Sequence, residues 1–296
     1  MSMARRKLVK QGSATYTVSL PKEWIERFNL KSGEEIDIEE VGMQLILSSI
    51  QKQKKYETIK YNFEKIPKDL VHEFIVSLYK SGIKDTQIDK IDSDKFKLAK
   101  EVIDNTIGFE ILGSEKDKIH ISDLGTSDEE SLNRAEQQIY WRLLHMIDRV
   151  LDKTSKEKEI HDIDLEINKL SFFIQRNLAA KYSSSSRNFL FYEKISALES
   201  IGDFLRSFKI YSQMNSSEIE YMKKMYEIMD LLRANKNDLE YFIDLRKKMN
   251  NLLGMTEKLK KSGKGNSALA AILLYKNIKQ LFDVSFTLEL DKFMQK

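Results

Sequence analysis

The chain has 296 residues, 41% hydrophobic and 32% charged, the balance of a globular protein with material for more than one core and not of a disordered one. It contains no cysteine, which excludes disulfides, thiolate metal sites and cysteine nucleophiles and fits a reducing compartment. A net charge of +3 identifies no partner by itself, and the longest apolar runs, such as ALAAILL at 268–274, fall far short of a bilayer span. A cytoplasmic protein without membrane insertion is therefore expected.

The distribution of charge says more than its sum. Through Lys22 the chain carries Arg5, Arg6, Lys7, Lys10 and Lys22 and no acid, whereas Glu23, Glu26, Glu34, Glu35, Asp37, Glu39 and Glu40 follow closely. Residues 5–10 and 14–20 read as two short strands around Gln11-Gly12-Ser13, because glycine supplies the backbone freedom of a tight turn. Pro21 suits the first turn of a helix from Lys22 to Phe28, with Ser19 as a cap. A Lys31-Ser32-Gly33 turn, a strand over 35–41, a turn at Gly42 and a strand over 44–48 complete a ββαββ unit. So small a unit is expected to dimerise.

The connector QKQKK at 51–55 marks the first boundary. A strand over 56–63, a helix over 67–81, a strand over 86–91, a helix over 93–105 and a hairpin of 107–112 with 118–124 then predict a small α/β domain. Its topology is open. Beyond Leu124 there is no proline and no strand signal. Ile163, Ile167, Leu170, Ile174 and Leu178 recur at helical spacing. Breaks at 153–155, 183–186, 215–217, 235–237 and 262–266 divide the remainder into six helices, the third and sixth longest, as in two copies of a three-helix unit. The expected domains are 1–50, 51–124 and 125–296.

On charge alone the basic start has two readings, a solvated face or a set of phosphate contacts assisted by small hydroxyl residues such as Ser13. The run R-K-L-V-x-x-G-x-x-x-Y-T-V-S-L-P-K-E-W from Arg6, followed by LKSGEEIDI, resembles the SpoVT/AbrB swapped-hairpin DNA-binding domain. The resemblance implies that two chains interleave their hairpins into one β-barrel whose basic face grips DNA. Arg6 matches a basic contact before the turn, and Gly12 the turn glycine. Ser13 stands where the family often has arginine, and Ile25 and Glu26 where it often has a basic pair. Arg5, Lys7, Lys10 and Lys22 would then supply the remaining charge, and Tyr16 would pack in the barrel.

In the helical half, Glu199 and Asp203 lie four residues apart on one helix face, close enough to share a cation, and Asp164 and Asn168 repeat the spacing on the preceding helix. Such pairs are also ordinary surface acids. ALESIGDFLRSF at 197–208 resembles the PhoU signature, and six helices in two triplets resemble the PhoU bundle. The resemblance implies iron or zinc on acidic motifs: Glu199 and Asp203 match, Asp164 matches as an acid, and Asn168 as a neutral oxygen ligand. In the second triplet Glu240 and Asp244 keep the motif, but Lys279 stands where an acid is expected four residues before Asp283. A lysine there would oppose a cation or pair with the acid in its place. Gly202, within a helix, is read as allowing close helix contact.

His72, His120, His145 and His161 lack metal-binding spacing, KSGKGNS at 261–267 follows no strand and reads as a helix connector, and no nucleophile–base order stands out. An enzyme is not expected. As a whole the arrangement, mainly α, resembles the archaeal PhoU-like regulators of phosphate uptake. It implies a homodimeric DNA-binding regulator, or an adaptor on a phosphate transporter ATPase or signalling kinase with the barrel only joining two chains.

Overall fold

The computed structural model describes residues 5–41, 44–49, 58–125, 127–181, 186–234, 236, 238–262 and 265–294. The connector at 51–55 and most of the serine run at 183–186 lie outside these residues. The chain divides into two compact units, Met1–Glu57 and Thr58–Lys296.

In the first unit, β1 (Val9–Gln11) and β2 (Thr15–Thr17) pair antiparallel with Lys10 opposite Tyr16. Gly12 opens the turn at φ 74°, a backbone region open to glycine at no steric penalty. α1 (Lys22–Arg27) follows, then the antiparallel pair β3 (Ile36–Val41) and β4 (Gln44–Ser49), in register from Ile36 with Ser49 to Val41 with Gln44. The strands are shorter than expected at the N-terminus: pairing stops at Val9 and Thr17, so Arg5, Arg6 and Lys7 precede the sheet. Pro21, extended at φ −62° and ψ 129°, is itself the residue that caps α1 in place of Ser19, and it offers the helix start no side-chain hydrogen bond. The two hairpins form separate two-stranded sheets, so a single chain closes no barrel among its described residues. Two-stranded ribbons have too little buried surface to stand alone.

The second unit begins with β5 (Ile59–Asn62), two single-turn 3-10 segments, α2 (Val71–Lys80), β6 (Asp85–Asp89), α3 (Ser93–Asp104), β7 (Phe109–Glu115) and β8 (Lys118–Asp123). The sheet order is β5-β6-β8-β7; β5 and β6 are parallel and the other pairs antiparallel. Alternation along β6 and β8 sends Thr86, Ile88, Ile119 and Ile121 inward, where they meet Val71, Ile75, Tyr79 and Val102 of the two helices. Asp92 caps α3 by accepting from the N–H groups of Asp94 and Lys95.

The helices α4 (Glu129–Leu151), α5 (Glu157–Lys181), α6 (Ser186–Tyr211), α7 (Ser216–Ala234), α8 (Leu239–Lys261) and α9 (Gly265–Met294) follow. The third and sixth of these are the longest, and α6 against α9 is the most extensive packing between elements. α4 packs on both α5 and α6, and α8 on both α7 and α9, so the two triplets share one core through α6 and α9. Ile163, Ile167, Ile174 and Leu178 are buried as the spacing predicts, with Leu170 half-buried beside them. A buried ion pair, Lys194 Nζ to Glu136 Oε1 at 2.6 Å, ties α6 to α4 inside the bundle.

The α/β layer and the bundle have separate buried cores within one unit; Phe172 of α5 packs against the first, Ile107 against the second, and a buried arginine ties the two layers by polar bonds. Arg176 of α5, 4% exposed, donates to Asp123 Oδ2 at 2.7 Å, to the Ile83 carbonyl at 2.7 Å and to the Tyr79 carbonyl, while its guanidinium stacks on the Tyr79 and Phe109 rings. All of these partners belong to α2, β7, β8 or the turn after α2. Arg176→Leu is expected to destabilise the second unit by about 3–5 kcal/mol, since it removes the cation from a largely buried Asp123 carboxylate and leaves two carbonyls without their donor. Urea unfolding followed by circular dichroism measures this, and Arg176→Lys should recover less than half, because an ammonium cannot span the fork.

Candidate functional site

Two surfaces carry the residues that the sequence singles out. On the first unit, Arg5, Arg6, Lys7, Lys10, Ser13 and Lys22 are all exposed. Lys22 pairs with Glu26 one turn along α1 at 3.4 Å; Arg5, Arg6, Lys7 and Lys10 make no ion pair with another described residue. The hairpins also leave apolar side chains in water: Leu8, Val9, Tyr16, Val18, Ile38 and Leu45 are between 49% and 68% exposed. Apolar exposure so concentrated in one small unit marks a surface built to be covered. Tyr16, expected to pack within a barrel, lies open in the single chain.

The second surface lies on α5 and α6. Asp164, 2% exposed, faces α6 at Gly202, where an added Cβ would stand only 3.2 Å from Asp164 Oδ1 and 3.4 Å from Ile167 Cδ1. Gly202 therefore does permit the close approach of these helices. Asp164 Oδ2 lies 3.7 Å from Arg206, whereas Asp164 Oδ1 and Asn168 Oδ1 are buried with no hydrogen-bond partner among the described residues. Burial and the neighbouring Asp203 charge push the Asp164 carboxyl up to about 6, with Arg206 opposing. Burial, then Asp203, push Glu199 up to about 7, with the Lys80 charge pulling the other way. Asp203 is raised by burial and held back by Arg206.

Thus Asp164, Asn168, Glu199 and Asp203 share one region, with Lys80 and Arg206 beside them. Oxygen donors of this kind suit a divalent cation, and two of those oxygens are orphaned; no three His, Cys, Asp or Glu residues among the described ones are drawn together at ligating distance. In the second triplet, Lys279 pairs with Asp283 on α9, while Glu240 and Asp244 are exposed on α8. Sequence reasoning missed Lys80 and Arg206. Arg206, three residues past Asp203, was within reach of the helical spacing, but Lys80 arrives from another element with no local signal.

The molecule is a β-hairpin module joined to an α/β and helical unit, and no described helix is long and apolar enough to cross a membrane. Residues 9–56 match the family described as "Antidote-toxin recognition MazE, bacterial antitoxin", which supports an N-terminal domain of the SpoVT/AbrB type. No curated protein and no solved structure matches the chain.

The raised Glu199 carboxyl fixes the sign of a pH effect. An acid whose folded-state pKa lies above its unfolded value stabilises fully below the unfolded value, 4.5 here, and loses that contribution as pH rises through about 7. Glu199→Gln should therefore match the native chain near pH 4.5 and exceed its urea midpoint at pH 8. Equal midpoints across that range would mean that Glu199 is not held in this environment.

Proposed function

We propose that the protein is a homodimeric DNA-binding transcriptional regulator of phosphate uptake, in which hairpins from two chains complete one barrel and the helical bundle senses or relays a signal. The observation that carries the DNA-binding part is the first unit's surface: exposed apolar strands beside four basic residues without an acidic partner among the described residues, inside or next to the segment matched by the antitoxin family. A second copy supplies the missing cover for Val9, Tyr16, Ile38 and Leu45, and doubles the basic face. Phosphates take their charge from Arg5, Arg6, Lys7 and Lys10, with the Ser13 hydroxyl at the turn as a hydrogen-bond partner.

The phosphate-uptake part rests on the ALESIGDFLRSF resemblance and on two helical triplets that share a core. In this reading the α5 and α6 face takes one divalent cation, iron or zinc, through Asp164, Asn168, Glu199 and Asp203. When bound, the metal neutralises carboxylates that burial has made costly to ionise. The second triplet does not fit a metal, because Lys279 already pairs with Asp283.

A second reading is an adaptor that docks on a phosphate transporter ATPase or a signalling kinase, with the hairpins only joining two chains. It is favoured by α1, where Glu23 stands exposed and Glu26 partly neutralises Lys22. Both acids would oppose DNA phosphates if α1 lay near them.

Fluorescence-anisotropy titration of the full chain against fragments upstream of phosphate-transport genes, over a range of salt, separates the two. A regulator binds these more tightly than scrambled DNA, and Arg5→Ala with Arg6→Ala weakens binding and flattens the log–log salt slope by about 0.9 for each phosphate left without its cation. No binding, or equal binding to all sequences unaffected by the substitutions, favours the adaptor. In sedimentation equilibrium, Val9→Asp with Leu45→Asp should shift the dimer towards monomer while leaving the helical circular-dichroism signal unchanged. A dimer that survives these changes would place the interface elsewhere.

A further inference from the structure

The first hairpin sorts its side chains by chemistry along its length and between its two faces. Arg5, Arg6 and Lys7 precede the paired strands, Lys10 lies within β1, and no residue from Gln11 to Pro21 is charged. The tip is therefore neutral. It is also slender: Gly12, Ser13 and Ala14 turn the chain, and a Cβ added at Gly12 would meet nothing within 4 Å. The register sets the faces, with Gln11 opposite Thr15 and Val9 opposite Thr17 on one side, and Lys10 opposite Tyr16 on the other. Thr17, at the foot of the hairpin, turns its hydroxyl back to donate to the Val9 carbonyl at 3.4 Å. Gln11 and Thr15, exposed beside the turn, make no side-chain hydrogen bond to another described residue. Their amide and hydroxyl stand open to an outside partner.

These groups suit base edges better than phosphates. A two-stranded ribbon fits the major groove, where a glutamine amide matches the N7 acceptor and N6 donor of adenine together, and a threonine meets either kind of edge group. Directly opposed residues of an antiparallel pair stand about 5 Å apart, little more than one base-pair step of about 3.4 Å, so the two side chains reach the same or adjacent pairs. Building on the DNA-binding reading of this unit, we infer that Gln11 and Thr15 are its base-reading pair. Gln11 takes one A·T pair in each half-site, and Thr15 the same pair or the next. Arg5, Arg6, Lys7 and Lys10 hold phosphates and add affinity without choosing a sequence. Two chains related by a two-fold axis present the pair twice, so the recognised sequence is an inverted repeat.

The test is selection of bound duplexes from a random DNA library by the full chain, followed by anisotropy titration of the selected duplex and a scrambled version of it. The native chain should enrich an inverted repeat with a fixed A·T pair in each half. Gln11→Ala should erase the preference at that pair, a loss of about tenfold or more in discrimination, and leave affinity for scrambled DNA and the salt slope unchanged. Gln11→Arg should move the preference to G·C, because a guanidinium matches O6 and N7 of guanine, and a misfolded hairpin could not produce such a gain. Thr15→Val should weaken the preference at the same or the adjacent pair. Arg5→Ala with Arg6→Ala should instead weaken binding to every sequence alike. An unchanged preference in both Gln11 variants, or salt-sensitive binding that enriches no sequence, would overturn the base-reading pair and keep the DNA-binding module. No binding of any duplex would overturn both.

Discussion

In the second unit a guanidinium supplies the buried polar link between the α/β layer and the helical bundle. Arg176 leaves α5 to bind a carboxylate from the end of β8 and two carbonyls flanking the C-terminus of α2, and stacks on the rings of Tyr79 and Phe109. Only arginine offers a planar fork with enough donors to meet all three acceptors at once. Such a charge is tolerable out of water because Asp123 neutralises it and the remaining hydrogens are taken up by backbone oxygens. Around this point two hydrophobic cores, bridged at their margins by Phe172 and Ile107, are held in one unit, and α2 is set against α5.

Within the bundle the same rule recurs on a smaller scale. Lys194 and Glu136 form a buried pair, with the Tyr140 ring close to the ammonium, so α6 cannot slide along α4 without exposing a charge to an apolar core. Gly202 works by absence: with no Cβ it lets α5 and α6 approach where Asp164 is buried. Close helices concentrate the carboxylates, and that concentration, together with burial, lifts Asp164 and Glu199 far from their ordinary range. The electrostatic character of this face is thus a product of packing.

The first unit is a contrast. Its pieces are short, its helix buries no residue, and its strands display apolar side chains that a single chain does not cover. A small unit of this kind gains its core by association. Positive charge gathers ahead of β1 and at Lys10 within it, on the same unit as those exposed apolar side chains.

Much of this was legible in the residues. Gly12, Pro21 and the alternating runs after Gly33 mark the hairpins and the short helix, and the three- and four-residue recurrence from Ile163 to Leu178 marks α5, because turn chemistry and amphipathic period act over a few neighbours. Lys279 beside Asp283 foretold its own ion pair for the same reason. Strand extent at Arg5–Lys7, the capping of α1 and the sheet order β5-β6-β8-β7 were not legible, since each depends on which distant backbone is available to pair. Arg176 gave no signal because its partners lie 53 to 97 positions away along the chain. Lys80 was silent for a similar reason, as its meaning comes from Phe172 and Glu199 on other helices. The sequence by itself determined the kinds of element, their order and the residue types available for binding. Tertiary structure alone decided which charges meet, because burial and the approach of distant side chains are properties of the packed chain and of no local stretch within it.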